Sequence, residues 1–159
     1  MSKIKFLMRR VAQPVVAPGA LLAGVAFMAP GTTVALEDTQ LGCLALNIYH
    51  EARGESRRGQ EAIAAVTLNR VESSKFPSTI CAVVWQSRQF SWTHTQSSYY
   101  PTDMRAWKAA MRIARASLNK EVVVDYENIL FYHSKKVRPY WSKHKRFVAR
   151  VGSHLFYSS

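Results

Sequence analysis

Two carboxylates stand four residues apart in the run Glu51-Ala52-Arg53-Gly54-Glu55, with Arg57 and Arg58 just beyond. A carboxyl group at the edge of an apolar surface is disfavoured as an anion. Its pKa rises, and it can then hand a proton to a leaving oxygen near neutral pH. Glu51 meets that positional requirement. Leu41, Leu44, Ala45, Ile48 and Ala52 recur at helical spacing and form one apolar face. Glu51 falls beside Leu44 on its border, while His50 points away. Glu55 would push the Glu51 pKa further up and Arg53 would pull it down. The competing reading is a solvated turn in which Glu51 and Glu55 only pair with arginines.

A sugar polymer is gripped by rings stacking on apolar sugar faces and by polar groups reaching hydroxyl and N-acetyl groups. Gln89, Phe90, Ser91 and Trp92 offer both kinds, as do Tyr132, His133, Tyr140 and Trp141. For each aromatic residue, ordinary core packing is the alternative. His133 is a candidate to orient substrate or Glu51, with a purely structural histidine as the alternative. A two-carboxylate glycosidase needs a second acid opposite the first. The candidates are Glu55, Glu61, Glu72, Asp103, Glu121, Asp125 and Glu127, and none stands in a second motif. That scarcity suits chemistry in which one residue serves as acid and then as base.

These residues need elements to hold them. Thr39 caps a helix that begins near Gln40 and stops at Gly54. Residues 60–70 predict a second helix whose Ala62–Leu68 stretch is apolar on nearly every side, and hence a buried central helix. Pro77 predicts the first turn of a short helix through Trp85. Residues 86–102 have no clean period and read as irregular. Thr102 or Asp103 caps a long helix over 104–119, with Arg105, Lys108, Arg112 and Arg115 as a basic stripe. Residues 122–124 and 129–133 read as strands. Residues 147–151 and 154–157, joined around Gly152-Ser153, read as a hairpin.

The chain has 159 residues, 48% hydrophobic and 20% charged, which fits one globular domain and argues against wholesale disorder. The net charge is +12. Lys3, Lys5, Arg9 and Arg10 open the chain, and no charge follows from Val11 to Leu36. Residues 1–35 thus read as a signal peptide or signal anchor that exports a domain spanning residues 36–159. That domain is itself basic and favours polyanionic partners. Cys43 and Cys81 are the two cysteines. In an exported chain an even count suggests a disulfide, which would contribute about 3–4 kcal/mol by restricting the unfolded chain. Two buried free thiols are the alternative.

Several spaced motifs occur in order: EARGE, then GQEAIAAVTLNRV, FPSTI, QFS, and a closing FYHSKKVRPYWSKHKRFVARVGSHLFY. Together they resemble the spore-cortex-lytic (SleB/CwlJ) family of cell-wall hydrolases over about residues 42–157. The resemblance implies an α+β, mostly α, lysozyme-like domain with a small β element near its C-terminal end. It implies lytic cleavage of peptidoglycan between N-acetylmuramic acid and N-acetylglucosamine, with Glu51 as the catalytic acid. In a lytic transglycosylase the muramyl 6-hydroxyl attacks its own anomeric carbon and leaves a 1,6-anhydro sugar. A water-using muramidase with one acid would look the same in sequence.

Two other function classes stay open. An N-acetylmuramoyl amidase normally uses a metal triad, and no His, Asp and Glu set here has that spacing. A non-catalytic wall-binding module would not need Glu51. The basic stripe and the group Lys135, Lys136, Arg138, Lys143, Lys145 and Arg146 suit an anionic wall or membrane surface, or are simply solvated. The sequence holds no nucleic-acid-binding module and no metal, nucleotide or cofactor signature. The expected state is an exported monomer acting on peptidoglycan in the periplasm or wall, as a bacterial remodelling enzyme or a phage endolysin.

Overall fold

The computed structural model describes residues 39–122, 126 and 128–159. The export segment, most of the 122–124 strand, and the candidate acids Asp125 and Glu127 lie outside the described residues. Helix α1 spans Gln40–Ala52, and the Thr39 hydroxyl accepts the Gly42 N–H at its start. Helix α2 spans Arg57–Glu72. It begins one turn earlier than residues 60–70 because Ser56 caps it, its hydroxyl accepting from Gly59 N–H. Helix α3 is Ile80–Val84, α4 is Trp92–Thr95 and α5 is Met104–Leu118.

Two expectations are corrected. Pro77 does not start α3; Thr79 does, with its hydroxyl on the Ala82 N–H. The irregular stretch 86–102 contains the single-turn α4. Asp103 caps α5 as expected, taking the Arg105 and Ala106 N–H groups at 2.9 and 3.0 Å. The buried Tyr49 hydroxyl accepts from the backbone N–H groups of Thr102 and Asp103, which ties α1 to the entry of α5.

Strands β1 (Phe131–Ser134), β2 (Arg146–Val151) and β3 (His154–Ser158) make an antiparallel sheet in the order β1-β3-β2. A 3-10 turn at Tyr140–His144 joins β1 to β2. Gly152 turns the hairpin at φ +59°, a conformation that suits glycine. Tyr132 pairs with Phe156 and Ser134 with His154, so these four side chains share one face of the sheet. That face meets Ala52 of α1 and Ala62, Ile63 and Val66 of α2 around the fully buried Phe156. A second cluster joins α1, α3, Phe90, Trp92 and α5, and Tyr132 packs against both clusters.

Cys43 and Cys81 form a disulfide with their Cα atoms 5.2 Å apart. Beside it the Gln40 side-chain oxygen takes the Ile80 N–H at 2.7 Å, so bridge and cap hold the start of α1 to α3. Among the described residues, no helix is long and apolar enough to cross a membrane.

Candidate functional site

Glu51 sits in the last turn of α1, one residue before the helix ends. Its neighbours Ile48, Tyr49 and Ala52 are buried, and the carboxyl group is partly buried with them. Burial pushes its pKa above the ordinary glutamate value. Two groups oppose that rise: a hydrogen bond from the Tyr132 hydroxyl, then the positive charge of Arg70. Burial, and then the nearby Glu51 charge, drives the Tyr132 pKa well above the tyrosine norm, so its hydroxyl stays protonated and remains a donor.

Arg70 comes from the last turn of α2 and is 5% exposed. Its Nε donates to the Leu130 carbonyl at 2.8 Å, and the guanidinium lies over the rings of Phe76 and Phe90 at 5.1 and 5.4 Å. Its Nη1 is buried with no hydrogen-bond partner. Burying a cation is costly, and burial holds the Arg70 pKa below the arginine norm, a fall opposed first by Tyr132 and then by Glu51. The three groups therefore form a unit: a raised acid, a fixed hydroxyl donor and a buried cation.

Glu55 has a different task from the one its spacing suggests. Its carboxylate accepts the Ser153 hydroxyl and the Ser153 N–H, and these bonds hold its pKa below the ordinary value. It latches the active turn to the β2–β3 hairpin. A Cβ at Gly152 would collide with the same carboxylate. Neither Glu55 nor Arg53 is among the groups that shift Glu51; Tyr132 and Arg70 are.

The expected sugar-binding residues separate. Tyr132 faces Glu51. His133, its neighbour on the strand, points to the opposite face, where Nε2 meets the Tyr157 hydroxyl at 2.9 Å. Trp141 packs on that far side against Phe131, His133 and Tyr157, and Tyr140 is solvent-exposed beyond it. Phe90 and Trp92 are core residues, not open stacking faces, at 2% and 3% exposure. Trp92 stacks on His50 and directs its indole N–H to the buried Asn47 side chain. Gln89 is half-buried and Ser91 exposed, so within QFSW only the polar members reach solvent.

The profile of the Cell Wall Hydrolase family matches residues 54–157. This chain belongs to that family. A spore cortex-lytic enzyme of Bacillus cereus is 30% identical over 123 residues, covering 75% of this chain and 43% of the relative. A spore cortex-lytic enzyme of Bacillus subtilis is 29% identical, over 71% of this chain and 35% of the relative. The chain thus spans less than half the length of these relatives.

The catalytic domain of the germination-specific lytic transglycosylase SleB from Bacillus anthracis superposes with a TM-score of 0.62 at 27% identity. The match covers 82% of this chain and 100% of that domain. The catalytic domain of the Bacillus cereus SleB protein gives 0.60 at 29% identity, over 80% of this chain and 94% of that one. The fold is therefore the lysozyme-like, mostly helical one.

The family profile begins at Gly54, just past Glu51, so the case for Glu51 rests on its motif and on its surroundings. Arg70 is the site residue that sequence reasoning missed. A partial signal was present: Arg70 follows the apolar Ala62–Leu68 stretch of a helix expected to be buried. A charge in that position must either escape to solvent or find a partner inside.

Proposed function

We propose that this chain is a peptidoglycan lytic transglycosylase that uses Glu51 as its single acid and base. The observation that carries this reading is the Glu51 carboxyl, raised by burial and held by the Tyr132 hydroxyl beside Arg70. A raised carboxyl keeps its proton to higher pH than an ordinary glutamate, and in its protonated form it can protonate the glycosidic oxygen as the bond to the muramyl anomeric carbon breaks. The resulting carboxylate is stabilised by Tyr132 and Arg70. It then takes the proton of the muramyl 6-hydroxyl as that oxygen bonds to the anomeric carbon. One bond breaks, one forms, and the proton returns to Glu51, so no water is consumed. The environment is suited to a group that must be a good acid and then a stable base.

The likeness to the catalytic domain of SleB from Bacillus anthracis, a germination-specific lytic transglycosylase, supports the same outcome. An amidase would need a metal ligand set, and the described residues bring no three His, Cys, Asp or Glu side chains together for one. The Arg105, Lys108, Arg112 and Arg115 stripe is exposed along α5 and suits an anionic wall or membrane surface. The proposed setting is outside the cytoplasm, reached through residues 1–35, in wall remodelling or phage-driven lysis. Digestion of purified sacculi followed by mass spectrometry tests the chemistry. The expected fragments end in 1,6-anhydromuramic acid. Reducing-end muramic acid would establish a muramidase instead, and free stem peptides an amidase.

A further inference from the structure

The far face of the sheet, turned away from Glu51, carries a hollow of about 420 Å³ between β1, β3, β2 and the 3-10 turn. Four cations line it: Lys135, Arg138, Lys143 and Lys145. Among the described residues lining the hollow there is no carboxylate. Its base is fixed. His133 and Tyr157 stack at 5.3 Å and share a hydrogen bond, and the Lys145 ammonium sits 4.3 Å from the Phe131 ring centroid. Its rim is apolar and open, with Val137 57% and Phe147 53% exposed.

Four like charges around one concavity repel each other and concentrate anions there. Exposed apolar side chains at the rim add a requirement that a bare phosphate polymer does not meet. A ligand that satisfies both has carboxylates spaced by small apolar groups.

We infer that this hollow binds the carboxylate-bearing peptide stem of peptidoglycan, as a site separate from the one that holds the glycan at Glu51. The inference rests on the glycan-cleaving reading only for the choice of polymer. Stem carboxylates meet the four cations, and alanyl methyl groups meet Val137 and Phe147. The sheet then has two roles. Its inner face gives Tyr132 to Glu51, and its outer face holds a stem of the same or a neighbouring strand.

The test is calorimetric titration of the full chain with the free tetrapeptide L-Ala-γ-D-Glu-diaminopimelate-D-Ala. The same titration is made with its carboxamide form, with inorganic polyphosphate, and with an Arg138→Ala/Lys143→Ala variant. Both substituted residues are exposed, and an unchanged melting curve verifies the variant's fold. The expected result is saturable binding of the tetrapeptide, about tenfold weaker in the variant and in the carboxamide. Absence of peptide binding, equal binding by variant and parent, or tighter binding of polyphosphate overturns the inference. The sacculus digestion tests the glycan reading separately, because it scores the product of cleavage and not affinity for the peptide.

Discussion

The Tyr132 hydroxyl on β1 donates a hydrogen bond to the Glu51 carboxyl at the end of α1, linking the sheet to the helical core at one polar contact. Phe156 and Ala52 pack behind it, and Glu55 fixes the hairpin that supports β1 through β3.

Removing the hydroxyl tests its role. Tyr132 lowers the Glu51 pKa, so Tyr132→Phe raises it. In the proposed mechanism the protonated form of Glu51 is the active one, so activity is lost as pH rises through that pKa. The alkaline limb of the pH–rate profile therefore moves to higher pH in the variant. The carboxylate formed after the first step also loses a charge-assisted bond, which slows turnover by about tenfold to a hundredfold. Turbidimetric lysis of sacculi across pH measures both effects.

Arg70 acts in the same direction, through charge. Arg70→Met would move the alkaline limb upward as Tyr132→Phe does, because the cation lowers the Glu51 pKa. Arg70→Lys should keep most of that shift from occurring while losing the hydrogen bond to Leu130. A pH–rate profile of the Lys variant close to the parent, with a lower melting temperature, would separate charge from packing. Equal displacement of the limb in both variants would show that the charge at this position is not what matters.

Most of the frame can be read in the chain. Helices α1, α2 and α5 follow from apolar spacing, with Thr39 and Asp103 as caps, and Gly152 marks the hairpin; the Ser56 cap that starts α2 a turn before residue 60 does not stand out in the polar, Gly-marked turn. The site is legible only in part, because its members meet across long sequence distances. Trp92 needs a partner for its indole N–H, and Asn47 on α1 provides it; nothing local says so. The same holds for Phe90, whose ring turns inward beneath Arg70. The separation of Tyr132 from His133 was accessible in principle. Adjacent residues of a strand face opposite ways, so a strand over 129–133 allows only one of them to reach Glu51.

Under the proposed mechanism Glu51→Gln should abolish lysis, by at least about a hundredfold, since glutamine has no proton to donate at that position. It should also change stability with a defined sign. The folded pKa of Glu51 lies above its unfolded value, so the ionised carboxylate is the form that the fold disfavours. The parent has its full stability below the unfolded pKa and loses some as pH rises through the folded one. Glutamine does not titrate. The variant should melt with the parent at low pH and above it at neutral pH. A variant that melts below the parent at neutral pH would contradict a raised acid.

Reduction or double Cys→Ala substitution of the Cys43–Cys81 pair should lower stability by about 3–4 kcal/mol, because the unfolded chain recovers the freedom of the closed loop. The bridge lies at the start of α1, at the opposite end from Glu51, so activity well below the melting temperature should change much less than stability. Denaturant melts with and without reductant, paired with lysis assays, measure the two quantities.

Glu55→Gln carries the opposite sign from Glu51→Gln. Bonds from Ser153 hold the Glu55 pKa below its unfolded value. Its contribution is therefore present above the unfolded pKa and disappears as pH falls through the folded one. At neutral pH the variant should be destabilised by about 1.5–3 kcal/mol, the range for a hydrogen bond to a charged group. The difference should shrink toward zero in acid as the parent's own carboxylate protonates. Gly152→Ala should act on the same latch at every pH, because it both forces a β-carbon into positive φ and crowds the Glu55 carboxylate. If Glu55→Gln also slows lysis at temperatures where it remains folded, the latch reaches the acid through β3, β1 and Tyr132. Stability loss with full activity would confine Glu55 to holding the hairpin.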